Sequence, residues 1–306
     1  MTVAQLEWQE RPELREPIMV CAFRGWNDAG EAASAAVQFL VESFEAKPFA
    51  SIDPEDFYDF TSVRPTVRLV EGRTRAIDWP QNIFYAAKVP GADRDMVMMH
   101  GVEPSLRWRA YCAAALEVAD SMGVRMVVTL GALLADVPHS RPVAITGLAS
   151  TSGLVERLGF ERTSYEGPTG IVGVLHTSVA GAGIDSASLW APVPHYVAAT
   201  PNPKAALALV RGFEGVAGIA VDAGALERAA GDYDRQVTAA VATDPDVKAF
   251  VERLEEMADE MTEEDPPVRP EQLPSGDTIA REFQRFLRQR GPEGGPPGPI
   301  SPPPDK

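Results

Sequence analysis

Two hydrophobic periods alternate along this chain. Residues 17–23 (PIMVCAF) form a continuous apolar run of the length of one buried strand. The run stops at Gly25. From Ala32 onward Ala33, Ala36, Val37, Leu40 and Phe44 fall on one face of a helix. The same alternation continues: strands are predicted over 49–52, 82–89, 95–100, 125–130, 143–149 and 187–193. Helices are predicted over 106–122, 150–158, 171–182 and from Pro201 to about Gly212. Ser105 is placed to cap the second of the chain's helices and Gly123 to end it. Residues 66–71 and 73–79 flank Gly72 as a hairpin, with Val67 and Leu69 facing Thr74, Ala76 and Trp79. Strand–helix–strand order with short turns argues for an α/β fold with a mixed, mostly parallel sheet covered on both faces.

From about residue 222 the period is helical throughout, with helices over 225–242, 245–261 and 277–289 and a linker over 266–274. This gives a core over 1–220, a helical appendage over 221–290 and a Pro/Gly-rich, disordered tail over 291–306. Residues 252–265 carry eight acids against one arginine, the pattern of a solvated helix face.

Two loops stand out at predicted strand ends. In Gly25-Trp26-Asn27-Asp28-Ala29-Gly30 the glycines permit a tight turn, and Asn27 and Asp28 can accept from the first free N–H groups of the following helix. A small-ligand pocket at that helix start is the functional reading, and a tight turn capped by Asp28 the plain one. Residues 131–138, opening with Gly131, read as a further loop at the same edge. In residues 164–170, Glu166 is a lone acid among the small residues Gly167, Thr169 and Gly170, at the start of a helix. His195 and Tyr196 end a strand and would make an acid/base cluster with Asp28 and Glu103 if the loops converged.

Composition narrows the chemistry. The net charge of −16 disfavours nucleic acid and anionic membranes as partners. The two cysteines, Cys21 and Cys112, lie in apolar segments and read as buried free thiols of a reducing cytosol. There is no H-E-x-x-H, C-x-x-C, G-x-S-x-G or phosphate-loop spacing, so neither a metal nor a cofactor is expected and no catalytic residue is assigned. The first residues lack a basic start and an apolar core, and no apolar run reaches about 18 residues; a cytoplasmic protein with neither signal peptide nor membrane span is expected.

Several segments, in order, resemble the proteasome assembly chaperone 2 family. They are Gly25 to Gly30, Glu103-Pro104, Gly131 after its strand, Gly167-Pro168-Thr169-Gly170, and His195-Tyr196 with Pro201 to Lys204. Residues 273–290 resemble the C-terminal helix of a bacterial branch of that family. The resemblance implies a three-layer α/β/α core like that of nucleoside phosphorylases and peptidyl-tRNA hydrolase-like folds. It also implies a homo-oligomer, a trimer by family expectation, and proteasome subunits as partners. Eukaryotic and archaeal members dock through a C-terminal hydrophobic–Tyr–X tail; this sequence ends Pro303-Pro304-Asp305-Lys306.

Two functions follow. One is a non-enzymatic protein-binding factor that assists assembly of the proteasome or another oligomer, with the apolar, small-residue face of 171–182 as the self-contact. The other is a small-molecule hydrolase or phosphorylase-like enzyme using the loops at 25–30 and 165–170. A deep polar pocket lined by Asp28, Glu103 and Glu166 would favour the enzyme, and a flat apolar patch the binding factor.

Overall fold

The structure is a computed structural model and describes residues 6–70, 74–160, 165–197 and 199–264. The strands are β1 (Leu6–Trp8), β2 (Ile18–Arg24), β3 (Lys47–Ile52), β4 (Thr66–Val70), β5 (Thr74–Asp78), β6 (Asn82–Ala87), β7 (Met96–Val102), β8 (Met126–Ala135), β9 (Thr146–Ala149) and β10 (Asp185–Pro194). The helices are α1 (Ala32–Ser43), α2 (Trp108–Ser121), α3 (Ser152–Leu158), α4 (Ile171–Gly181), α5 (Pro203–Ala217), α6 (Gly224–Val241) and α7 (Pro245–Glu264). Eight strands form one sheet in the order β1-β3-β6-β7-β2-β8-β10-β9. Its centre, β7-β2-β8-β10, is parallel and its flanks are antiparallel.

Burial on both faces explains the continuous apolar runs. In β2, Ile18, Val20 and Ala22 point into one core with α1 and α5. Met19, Cys21 and Phe23 point into a second core with α2 and α4. The period of two sends alternate side chains to opposite faces, so a strand between two helix layers is apolar at every position. The result is the three-layer α/β/α fold that the sequence predicts.

Four details differ from the hydrophobic pattern. First, β8 does not stop at Leu130: Gly131 to Ala135 continue in parallel register with Trp190 to Pro194. Gly131 reads as a strand end but is a packing glycine, since a Cβ there would come within 2.5 Å of the Trp190 ring. Second, α2 begins at Trp108 after Arg107 in a left-handed conformation (φ 55°), with no side-chain cap from Ser105. Third, the apolar residues of α4 are spent inside the chain: Ile171, Val172, Leu175 and Val179 are buried in the second core. These four side chains are not available to a second copy, while Gly173, Val174, Thr177, Ala180 and Gly181 are half-buried or exposed. Fourth, in the hairpin Val67 stands opposite Ile77 and Leu69 opposite Arg75, so Thr74 and Ala76 lie on the other face. In addition, β1, which no pattern announced, adds to β3 at the sheet edge.

Beyond the sheet, α5 packs against α1 and α6. Lys204 pairs with Asp234 of α6 at 2.9 Å. Residues Met1–Ala258 form one unit; of the second, Asp259–Lys306, the last turns of α7 are described. The expected third helix at 277–289, the linker at 266–274 and the tail at 291–306 lie outside the described residues.

Candidate functional site

The parallel strands end together at one edge, and there the predicted loops meet. β2 runs into Gly25, whose φ of +153° suits a residue without a side chain. A Cβ at Gly25 would lie 2.7 Å from Cβ of Glu103. Glu103 follows β7, the strand beside β2, and its amide donates to Arg24 O at 2.9 Å. Its carboxylate then bridges the two loops. Oε2 accepts from Trp26 N–H at 2.9 Å, and Oε1 accepts from Ile171 N–H, the first residue of α4, at 2.9 Å. A negative charge at that helix start also meets the positive end of the helix dipole. Gly170 closes the junction. A Cβ there would come within 2.0 Å of Asn27 Oδ1 and 2.8 Å of Glu103 Oε1. Asn27 Oδ1 is buried without a hydrogen-bond donor among the described residues and lies against Gly170.

Asp28 behaves as the plain reading has it. Its Oδ1 accepts from Ala33 N–H at 2.8 Å and Ser34 N–H at 3.1 Å, and its Oδ2 from the Ser34 hydroxyl at 2.5 Å. These satisfy the otherwise free amides at the start of α1. Burial pushes the Asp28 carboxyl above the usual carboxylate range, and the hydrogen bonds from Ser34 and Ala33 oppose it. Beside it Asn27 O accepts from Ala132 N–H at 2.8 Å, and Gly30 O from Asn202 N–H at 2.7 Å. Asn202 in turn caps α5 through Lys204 N–H and Ala205 N–H, at 3.1 and 3.0 Å. The first loop is thus stitched to β8, α1 and α5 at once.

The remaining candidates do not join this junction. Glu166 and Gly167 are exposed, and Tyr165 folds back so that its hydroxyl donates to Pro168 O at 2.9 Å. Gly131 sits inside β8. His195 pairs with Asp136 at 3.0 Å and packs its ring against Tyr196 and Phe250 of α7. The conditional cluster of His195 and Tyr196 with Asp28 and Glu103 is therefore not assembled. Neither is a polar pocket of Asp28, Glu103 and Glu166: Asp28 is 6% exposed and committed to α1, while Glu166 is at the surface. Tyr196 instead bonds His139, whose other ring nitrogen reaches Thr238 of α6 at 3.1 Å. Burial is the main cause that holds His139 below its ordinary pKa.

What the edge does offer is an open hollow of about 410 Å³ beside Trp26. Val63, Val102, Pro104 and Trp108 give it apolar walls, and Arg24 and Glu103 stand at its margin. Trp26 itself is 61% exposed. Val63 and Trp108 were not singled out from sequence: Val63 lies outside every predicted element, and Trp108 falls in a helix whose period pointed only to structure. Ser34 and Asn202, which complete the polar stitching, carried a weak signal: a serine in an alanine-rich helix start and an asparagine just before a helical proline.

The profile of the PAC2 family matches residues 22–241. The chain belongs to the PAC2 family. A PAC2 family protein from Streptomyces avermitilis is 45% identical over 77% of this chain and 99% of its own, with a TM-score of 0.72. A proteasome-assembly chaperone homologue from Mycobacterium tuberculosis is 45% identical over 76% of this chain and 99% of its own, with a TM-score of 0.71. An archaeal proteasome activator from Pyrococcus furiosus shares the fold at 18% identity, with a TM-score of 0.65 over 78% of this chain and 99% of its own. No curated protein matches the chain. The matched range takes in the GWNDAG loop, Glu103 and Gly170, which lie far apart in sequence and meet at one junction of this PAC2 chain. Among the described residues no helix is long and apolar enough to cross a membrane.

Proposed function

We propose that this chain is a non-enzymatic protein-binding factor of the cytoplasm that assists assembly of an oligomer, the proteasome being the first candidate, and that it works as a homo-oligomer, by family expectation a trimer. One observation carries the reading. At the sheet edge, where α/β proteins gather reactive groups, the carboxylates of Asp28 and Glu103 are consumed in holding loops to helices. What is left over at the open hollow includes exposed apolar surface: Trp26 is 61% exposed, and Val63, Val102, Pro104 and Trp108 stand beside it. Exposed aromatic and aliphatic groups around an open hollow suit a protein segment better than a small polar metabolite. The similarity to a proteasome-assembly chaperone homologue supports the same reading.

Affinity capture of the tagged full chain from its own cytosol, with mass spectrometry of the co-eluting proteins, tests it. The paired variant is Trp26→Ala, which removes exposed apolar area and no hydrogen bond of the junction's side chains. Subunits of one assembly recovered in proportion to the bait, and lost with Trp26→Ala, are expected. Recovery of the bait alone would overturn the reading and return the alternative, a small-molecule hydrolase or phosphorylase-like enzyme using the loops at 25–30 and 165–170.

A further inference from the structure

The second exposed apolar surface is the β4–β5 hairpin. It forms a sheet of its own, apart from the eight-stranded one. Its register divides it into two faces. On one, Arg68 pairs with Asp78 at 3.0 Å. On the other stand Val67 and Leu69 with Ile77 opposite, continued by Trp79, and these are 58, 66, 54 and 43% exposed. The Phe60 ring meets the Trp79 ring at 4.9 Å, which ties the base of the hairpin to the body. A two-stranded ribbon with one apolar face is marginally stable in water, and a strand edge with nothing beside it invites another chain.

Charge says what covers that face. Residues 64–79 hold Arg64, Arg68, Arg73 and Arg75 against Glu71 and Asp78, a net of +2 in a chain of net −16. The rest of the molecule therefore carries −18. Arg75 lies on the apolar face, opposite Leu69. Hairpin against hairpin would bring basic groups together across an apolar contact, which costs free energy. The carboxyl edge of the sheet has the opposite make-up. Leu133 and Leu134, at the end of β8, are 46 and 64% exposed, and Asp136 just beyond them, which also pairs with His195, has a side chain 78% exposed.

We propose that the hairpin of one copy docks its apolar, arginine-bearing face on the Leu134–Asp136 end of β8 in a second copy. The two surfaces are different patches of the same chain, so the contact is heterologous, and closure of successive contacts makes a ring. The proposal rests on the self-association in the proposed function, and it locates the contact away from α4.

The mass of the full-length protein by sedimentation, at micromolar concentration, is the first measurement. A closed oligomer is expected, dissociating as salt rises because the contact is charge-assisted; a monomer would overturn the proposal. Leu69→Asp, at a site exposed in the single chain, is expected to raise the self-dissociation constant by about tenfold or more. An oligomer unchanged in Leu69→Asp would place the contact elsewhere. A paired variant, Leu69→Cys with Leu134→Cys, should form disulfides between copies on oxidation, since Cys21 and Cys112 are buried. Efficient cross-linking of Leu69→Cys alone would mean hairpin-on-hairpin pairing and would also overturn it. A monomer would remove the self-association in the proposed function together with the docking, whereas an oligomer unchanged in Leu69→Asp would fail the docking alone; neither readout depends on a captured client, so client binding is tested separately.

Discussion

The glycine-rich junction and the β4–β5 hairpin are opposites in almost every physical respect. The junction looks chemical in sequence and is structural in space. Its carboxylates accept from backbone amides of two helices and a loop, and Asn27 and Asp28 are buried at 5 and 6% exposure. The hairpin looks structural in sequence and has the surface of a contact. Its apolar side chains face solvent, and the Arg68–Asp78 ion pair spans exposed groups. Polar groups that are buried and paired report on folding; apolar groups that are exposed report on partners. The difference predicts that mutations in the first region act on stability and mutations in the second on association.

The largest effect is expected from Gly170→Ala. The added Cβ would overlap Asn27 Oδ1 and crowd Glu103 Oε1 at once, and these atoms belong to a buried loop and a latching carboxylate rather than to a free chain end. A loss of about 3 kcal/mol in unfolding free energy is expected by urea denaturation, typical of overpacking a well-filled site. A neutral result would mean that the junction is soft, and the contrast with the hairpin would weaken.

Glu103→Ala comes next. It leaves the amides of Trp26 and Ile171 without their acceptor, at a cost of about 2 kcal/mol. Glu103→Gln keeps one carbonyl oxygen and should recover about half of that loss. Faster amide exchange at Trp26 and Ile171 in Glu103→Ala, with the sheet interior unchanged, would show that the carboxylate holds the loops and not the fold as a whole.

The contrast also explains what the sequence made legible. The strands of the parallel centre and the helices over them were readable, because β2 and β7 are buried on both faces and leave continuous apolar runs. Asp28 as a cap was readable for a local reason, since its partners lie five and six residues ahead. The bridge from Glu103 to Ile171 spans 68 residues, and no period or spacing encodes it; the family resemblance alone names a segment beside each end. Gly131 misled because a glycine that yields room to the Trp190 ring is indistinguishable, in one dimension, from a glycine that ends a strand. The hairpin was seen but its face was not. A two-residue period announces alternation and does not say which side is covered.

A smaller effect belongs to Asp28 and pH. Burial raises its carboxyl in the folded chain above the ordinary value of about 3.9. Between that value and the raised one, the folded state holds a proton that the unfolded state has released. This contribution to stability therefore falls as pH rises through that window. Asp28→Asn keeps one acceptor oxygen for the α1 amides and cannot titrate. Its unfolding free energy, followed from about pH 4 to 7, should lack that downward contribution. Parallel curves for the two proteins would mean that the hydrogen bonds from Ser34 and Ala33 cancel the effect of burial.

The smallest effect on the folded single chain is expected in the hairpin. Leu69 is 66% exposed and stands on the face away from the Arg68–Asp78 pair. Leu69→Asp should therefore change the unfolding free energy of a monomer by no more than about 0.5 kcal/mol, the usual range of a surface change. Concentration supplies the discriminating condition. If the hairpin docks on another copy, association stabilises the wild type by mass action, and its melting temperature rises with protein concentration while that of Leu69→Asp stays level. The two proteins should then melt together at high dilution and separate as concentration increases. A large loss for Leu69→Asp that persists on dilution would make the hairpin part of the fold, and the division between a structural junction and an associating arm would collapse.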